Sequence, residues 1–382
     1  MKTNSTTQEG QGVVCIVCPN KSVYSETFIR AHIEHLPAKV EVLYGGFFPV
    51  FTKNGHPLLS QSFFHKSVRF AIRKIFGVNN EWQRNKALRN YLRKEKVEVV
   101  LAEFGPTGVS IMEACRAANI PLIVHFHGAD AYNHNVLKDY GTKYSDMFQI
   151  ASAIIVVSHD MKQQLLKLGV PKEKLFYNSC GADTSLFSYS DSALSLPVFI
   201  STGRFVEKKA PHLTIMSFKK VIESCPDARL LMIGDGPLWE ACKQIVKVLG
   251  MTETVQFLGP LPHMEVASLM QKARAFVQHS VTTGNGDSEG TPVAVLEAGS
   301  SGLPVISTRH AGIQDAVLDG ETGLLVDEFD IDGMAKHMIR LAEDSELATR
   351  LGSAARKHIC SEFSMEKSIN GLWRIIEQTL KE

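Results

Sequence analysis

Carboxylates, cations and a histidine pair recur in this chain at the ends of short β-branched runs, each beside glycine, and that placement limits the chemistry open to them. The longest such run is Gly286-Asp287-Ser288-Glu289-Gly290-Thr291-Pro292-Val293-Ala294-Val295-Leu296-Glu297-Ala298. Thr291 suits an N-cap, Pro292 the first helical position, and Gly302 with Pro304 a stop, so the run predicts a glycine loop and a helix near 292–301. Amides at such a helix start can hold an anion, and Glu289 just before it could accept hydrogen bonds from the hydroxyls of a bound sugar. Glu297, five residues into the helix, would contact something deeper. The structural alternative has Glu289 favouring the helix dipole and Glu297 making an ordinary ion pair.

A second run, Ser201-Thr202-Gly203-Arg204-Phe205-Val206-Glu207-Lys208-Lys209-Ala210, puts two cations five residues apart after a glycine turn. Arg204 and Lys209 could clamp a diphosphate, the one bidentately and the other as a point charge, or they are solvated surface charge. Gly234-Asp235-Gly236-Pro237 is a further glycine turn, but no third glycine completes a dinucleotide fingerprint. In His125-Phe126-His127-Gly128-Ala129-Asp130 the alternation places both histidines on one face. No nearby cysteine or carboxylate completes a metal set, so no metal is expected. His127 reads as a polar contact at the mouth of a cleft, or as a satisfied loop histidine. Cys15 and Cys18 form a C-x-x-C inside an apolar run and read as core packing.

These runs need a scaffold of strands with loops at their carboxyl ends. β-Branched segments at 13–18, 39–44, 97–102, 120–126, 153–157 and 174–177 alternate with helix-like segments near 25–36, 62–76, 81–96, 106–119 and 159–168. A second series has strands at 198–202, 228–233, 254–258, 275–278, 304–307 and 323–326, with helices near 211–224, 237–249, 263–272, 292–301, 311–318 and 331–343. The small, polar stretch 188–197 separates them as a linker. The expectation is α/β: two Rossmann-like domains, 1–188 and 198–363, whose parallel sheets face a central cleft, the usual place for ligands in such sheets. The 382 residues suffice for two cores, and the net charge of +1 argues against nucleic acid as a partner. The seven cysteines form no disulfide framework, no signal core opens the chain, and no run is long and apolar enough for a membrane span, so a cytoplasmic protein is expected.

Taken together the motifs resemble glycosyltransferase family 4, retaining enzymes of the GT-B fold, over nearly the whole chain. Glu289 to Glu297 is similar to that family's E-x7-E signature, Gly203 to Lys209 to its G-R-x-x-x-x-K clamp, and His127-Gly128-Ala129-Asp130 to its first-lobe histidine segment. Tyr24-Ser25-Glu26-Thr27-Phe28-Ile29 resembles the opening loop of the subset that makes colanic-acid-like polysaccharides. The resemblance implies that Arg204 and Lys209 neutralise a departing diphosphate, that Glu289 with the backbone of Gly290, Thr291, Pro292 and Val293 holds the donor hexose, and that Glu297 holds the ribose. It implies His127 facing the hexose, Asp130 supporting that loop, and a last helix, 364–382, crossing back to an acceptor-binding first lobe. Pro292 departs from the family pattern and removes one backbone donor. The implied partners are a UDP- or GDP-hexose donor, as substrate rather than cofactor, and a glycan acceptor, with no metal because protein cations take its place. An epimerase of the same fold and a non-catalytic nucleotide-sugar binder are the alternatives; turnover of donor without acceptor marks the first.

Charge distribution adds a membrane to this picture. Residues 53–96 hold eleven basic residues against Glu81 and Glu95, with Phe63, Phe64, Phe70, Ile72, Ile75 and Phe76 interleaved. Such a segment suits the anionic inner face of a membrane and a lipid-linked acceptor; the plain reading packs the apolar side of 62–76 on the first sheet.

Overall fold

The computed structural model describes residues 12–21, 26–59, 81–191 and 196–381. The expected helix near 62–76, Tyr24 and Ser25 of the opening loop, and the middle of the linker lie outside the described residues.

Strands that are apolar on both sides can only be stable between two layers of helices, and the two series build such sheets. The first comprises β1 (Val13–Cys18), β2 (Lys39–Tyr44), β3 (Phe51–Thr52), β4 (Val99–Glu103), β5 (Leu122–Phe126), β6 (Ala153–Val156) and β7 (Leu175–Tyr177). Their spatial order is β3-β2-β1-β4-β5-β6-β7, parallel except for the short β3. The second comprises β8 (Val198–Thr202), β9 (Arg229–Ile233), β10 (Val255–Gly259), β11 (Ala275–Gln278), β12 (Val305–Thr308) and β13 (Gly323–Val326), in the order β10-β9-β8-β11-β12-β13. Strand order reverses between β1 and β4 and between β8 and β11, and crevices open at such switch points. The loops after β8 and β11 are the ones carrying Gly203–Lys209 and Gly286–Val293.

Cys15 and Cys18 are buried in β1, where burial pushes the Cys18 thiol up to about 12, so the C-x-x-C is core packing. The helix Met365–Lys381 crosses back to the first lobe. Its Ile369, Leu372, Ile375 and Ile376 pack with Val14, Ile16, Leu101 and Ile155 of the first sheet. Gly181 is needed at that crossing, since a Cβ there would lie 2.5 Å from the Ser364 carbonyl oxygen.

Several expectations need correction. Helices at His134–Ile150 and Ser345–Glu362 were not anticipated. The second buries Ala348, Gly352 and Ala355 beside Leu347, Leu351 and Ile359, so small residues dilute its apolar stripe. The segment 311–318 forms only one turn, Ile313–Ala316. Thr291 does not cap its helix, which runs from Val293 to Ser300 with Pro292 in the cap position. The Thr291 hydroxyl instead donates to the Val157 carbonyl of the first lobe at 2.6 Å. No helix among the described residues is long and apolar enough to cross a membrane.

Candidate active site

The second-lobe wall of the cleft starts from two loops pressed together. Gly203 is at φ +155, and a Cβ there would meet the Lys209 stem at 2.9 Å. The turn Gly234-Asp235-Gly236 serves this packing: a Cβ on Gly234 would fall 2.1 Å from the Gly203 carbonyl oxygen, and Phe205 N–H donates to Asp235 O at 2.6 Å. Lys209 is thereby aimed at the next loop, where its Nζ lies 2.9 Å from Glu289 Oε1. Lys208 turns inward and holds that loop through Asp287 and the Ser288 carbonyl, both at 3.1 Å. Burial drives the Glu289 carboxyl up, but Lys209 and Lys208 outweigh it and bring it down to about 2. Arg204 is exposed and its charge is felt by Glu26 of the opposite lobe.

His310 was not singled out from the sequence, yet it fixes the backbone at Glu289. Its Nε2 accepts the Glu289 amide at 3.1 Å and lies 3.0 Å from Ser288 Oγ, while Nδ1 is 2.7 Å from Glu328. An amide donor at Nε2 requires a bare nitrogen there, so the proton sits on Nδ1 and is given to Glu328.

On the first-lobe wall, Asp130 is buried and accepts amides from Gly105 at 3.0 Å, His127 at 3.0 Å and Gly128 at 2.9 Å. These bonds hold the backbone of the histidine loop. The His127 side chain is only 6% exposed and its Nε2 lies 2.7 Å from Glu103. Glu103, at the end of β4, is the carboxylate that sequence reasoning did not bring to the histidines. Its other oxygen is 2.7 Å from His32 Nδ1, and His125 Nδ1 is 3.6 Å away. Both 2.7 Å contacts are hydrogen bonds between an imidazole nitrogen and a carboxylate oxygen. Burial opposes ionisation of Glu103, but the histidines hold it well below the usual carboxylate range.

The two walls touch. A Cβ on Gly290 would fall 2.2 Å from the His127 carbonyl oxygen, so only glycine allows the Glu289 loop to meet the histidine loop. His159 N–H donates to Asp315 at 2.8 Å and Arg30 reaches His263 at 3.2 Å, both between lobes. Glu297 faces an interlobe cavity of about 190 Å³ with Thr27, Arg30, His263 and Val293, and burial alone pushes its carboxyl up to about 7. A larger hollow of about 1000 Å³ elsewhere on the first lobe, along Thr52–Leu59 and the helix from Glu81, includes none of these residues.

Backbone strain gathers around the same groups. Six non-glycine residues among those described have positive φ, and four of them, Phe104, Ala210, Ala311 and Phe329, directly follow Glu103, Lys209, His310 and Glu328. Each such conformation costs on the order of 1 kcal/mol or more and persists where surrounding contacts determine it.

The family profile described as glycosyl transferases group 1 matches residues 188–358, and that of Glycosyltransferase Family 4 matches residues 25–186. The chain is 29% identical to WcaL of Escherichia coli K12, named for colanic acid biosynthesis, over 71% of this chain and 68% of that protein. It is 26% identical to AmsK of Erwinia amylovora, named for amylovoran biosynthesis, over 74% and 70%. Its fold is that of Anabaena HepE, solved with UDP and glucose, at a TM-score of 0.72 and 16% identity over 96% of this chain and all of that one. The two profile matches meet near residue 187, where the first lobe gives way to the second, and the chain is accordingly a glycosyltransferase of family 4 with the GT-B fold.

Proposed function

We propose that this enzyme transfers a hexose from a UDP- or GDP-hexose to a lipid-linked glycan, with retention of the donor's α configuration, in building a surface polysaccharide. The observation that carries this reading is the pair of half-buried Lys209 and buried Glu289, 2.9 Å across, set where the loop of one lobe meets the His127 loop of the other. In the reaction the bond from C1 to the diphosphate breaks and charge builds on the diphosphate, where Arg204 and Lys209 act as fixed positive charges. The acceptor oxygen bonds to C1 on the same face, and its proton passes to the departing phosphate oxygen. Glu289, kept ionised by its lysines, accepts from hexose hydroxyls, helped by the backbone of Gly290, Thr291 and Val293; Pro292 has no amide to give. Glu297 takes the ribose from the cavity side, where a carboxyl titrating at about 7 can donate as well as accept. His127 faces the hexose. The second lobe binds the donor and the first the acceptor, and protein cations stand in place of a metal.

The names of WcaL and AmsK support an exopolysaccharide product, and the UDP bound to HepE supports a nucleotide-sugar donor. The lipid-linked acceptor is supported by Lys53, Arg84, Lys86, Arg89, Arg93, Lys94 and Lys96 with the exposed Trp82 on one segment. Co-sedimentation with anionic but not neutral vesicles, lost in high salt, is expected; failure to bind anionic vesicles refutes the membrane part.

The direct test is a thermal-shift screen of UDP- and GDP-hexoses, followed by transfer to an extracted lipid-linked glycan and anomeric NMR of the product. A cognate donor at 100 times its Kd adds about 2.7 kcal/mol of stability. No stabilisation by any donor overturns the reading, a β product overturns retention, and donor epimerisation without acceptor favours the epimerase.

A further inference from the structure

The transfer reading uses His127 but not the charge behind it. Asp130 fixes only the backbone of the His127 loop. The ring itself is placed by Phe28, stacked at 4.2 Å, by Phe104, edge-on at 5.0 Å, and by the 2.7 Å contact of Nε2 with Glu103. Of these only Glu103 can select the ring's charge as well as its orientation.

We propose that Glu103 is the positioning residue of this wall, holding His127 through Nε2 as an ion pair so that a cationic ring rather than a neutral one faces the donor hexose. The inference rests on the reading of His127 as the residue facing that hexose. A fully buried carboxylate with no cation is costly, so one of the imidazoles around Glu103 must carry the compensating charge. The titratable groups facing His127 are Glu103, His125 and Cys180, with His32 across Glu103 and Glu26 on the opposite side. His125 is held well below the ordinary histidine range by burial and by His127, so it stays neutral. For His127, burial acts downward, but bonding to Cys180 and Glu103 outweighs it and lifts the ring to about 10. His127 Nδ1, on the side of the ring away from Glu103, is buried and turned toward Cys180. An imidazolium there is a fixed positive charge close to the cleft, which a hexose hydroxyl oxygen or a departing phosphate oxygen over the ring feels without a new bond at Nδ1.

The test is histidine NMR titration of the full chain, with His127 assigned by comparison with His127→Gln, alongside pH profiles of turnover. In the wild type the His127 ring is expected to remain imidazolium from pH 6 to about 9. In Glu103→Gln only the Cys180 contact still opposes burial, so the His127 midpoint is expected to fall below about 8, and kcat at pH 8 drops several-fold with KM little changed. Part of that loss returns below pH 6. Glu103→Asp keeps the charge and is expected to keep the midpoint high. An unchanged midpoint in Glu103→Gln, or an equal loss of kcat at every pH, overturns the proposal. Should that variant not fold, a His127 ring that is neutral at pH 7.5 in the wild type overturns it as well. The titration needs no substrate, so absence of transfer would refute the proposed function without deciding the role of Glu103.

Discussion

Glu289 and Glu297 stand at the two ends of one short stretch, eight residues apart and both buried, and their carboxyls are driven in opposite directions. Burial acts upward on each. Glu289 meets Lys209 at 2.9 Å and falls to about 2; Glu297 has no such partner among the described residues and rises to about 7. Desolvation is therefore common to the whole stretch, and what divides the two roles is the loop after β8, which reaches one end and not the other. The first-lobe wall repeats the paired arrangement with imidazoles in place of lysines around Glu103.

The largest effect is expected from removing the lysine that makes the difference. Lys209→Ala leaves the buried Glu289 with Lys208 as its remaining lysine and takes one fixed cation from the departing diphosphate, so kcat is expected to fall about 10³-fold. Arg204→Ala, which spares Glu289, is expected to fall about 10²-fold. If the pair acts as a unit, Glu289→Ala combined with Lys209→Ala loses little more than either alone. Steady-state kinetics on the three variants decides, and losses that simply multiply would break the pairing.

The contrast also explains what the sequence made legible. The second-lobe site lies within two continuous runs after two neighbouring strands, so Arg204, Lys209, Glu289 and Glu297 could be read off spacing. Glu103 and His32 are separated from His127 by 24 and 95 residues, and only the pairing of β4 beside β5 joins Glu103 to that site. His310 was hidden for a similar reason, bonding to a loop 21 residues earlier. The alternation of strands and helices gave the two sheets, because parallel strands buried on both faces carry a strong apolar signal. The helix Ser345–Glu362 escaped because alanine and glycine form much of its buried side. Thr291 was misread because its hydroxyl answers a partner in the other lobe rather than its own helix.

A smaller effect, on stability rather than turnover, sharpens the comparison at its other end. Between the ordinary value of 4.5 and about 7 the folded chain holds a proton on Glu297 that the unfolded chain has released. Stability from this group is thus fully present below pH 4.5, declines as pH rises to about 7, and is then flat, a total on the order of 3 kcal/mol. Glu297→Gln removes the decline, so urea unfolding is expected to find the variant more stable than the wild type at pH 8 and nearly equal at pH 4.5. Glu289 has the opposite slope, contributing stability above 4.5 that is lost as pH falls toward 2. Nucleotide affinity in Glu297→Gln is expected to fall about tenfold, the scale of one lost hydrogen bond. A stability difference that is the same at both pH values would mean that Glu297 is paired after all.

The smallest effect concerns how Glu289 is held rather than how it is charged. Its amide donates to His310 Nε2 at 3.1 Å, and Glu328 keeps the proton on the far nitrogen at 2.7 Å. The strained Ala311, at φ +41, follows directly, so the histidine is set by the turn as well as by its bonds. His310→Phe leaves a buried amide without an acceptor, which costs about 1–3 kcal/mol. Because the lysines remain, Glu289 should stay ionised, and only its placement should suffer: kcat is expected to fall about tenfold while the pH profile keeps its shape. His310→Gln can offer a carbonyl oxygen to the same amide and is expected to recover most of the loss. Full activity in the phenylalanine variant, measured by transfer kinetics from pH 5 to 9, would show that Lys208 and Lys209 alone determine where Glu289 lies.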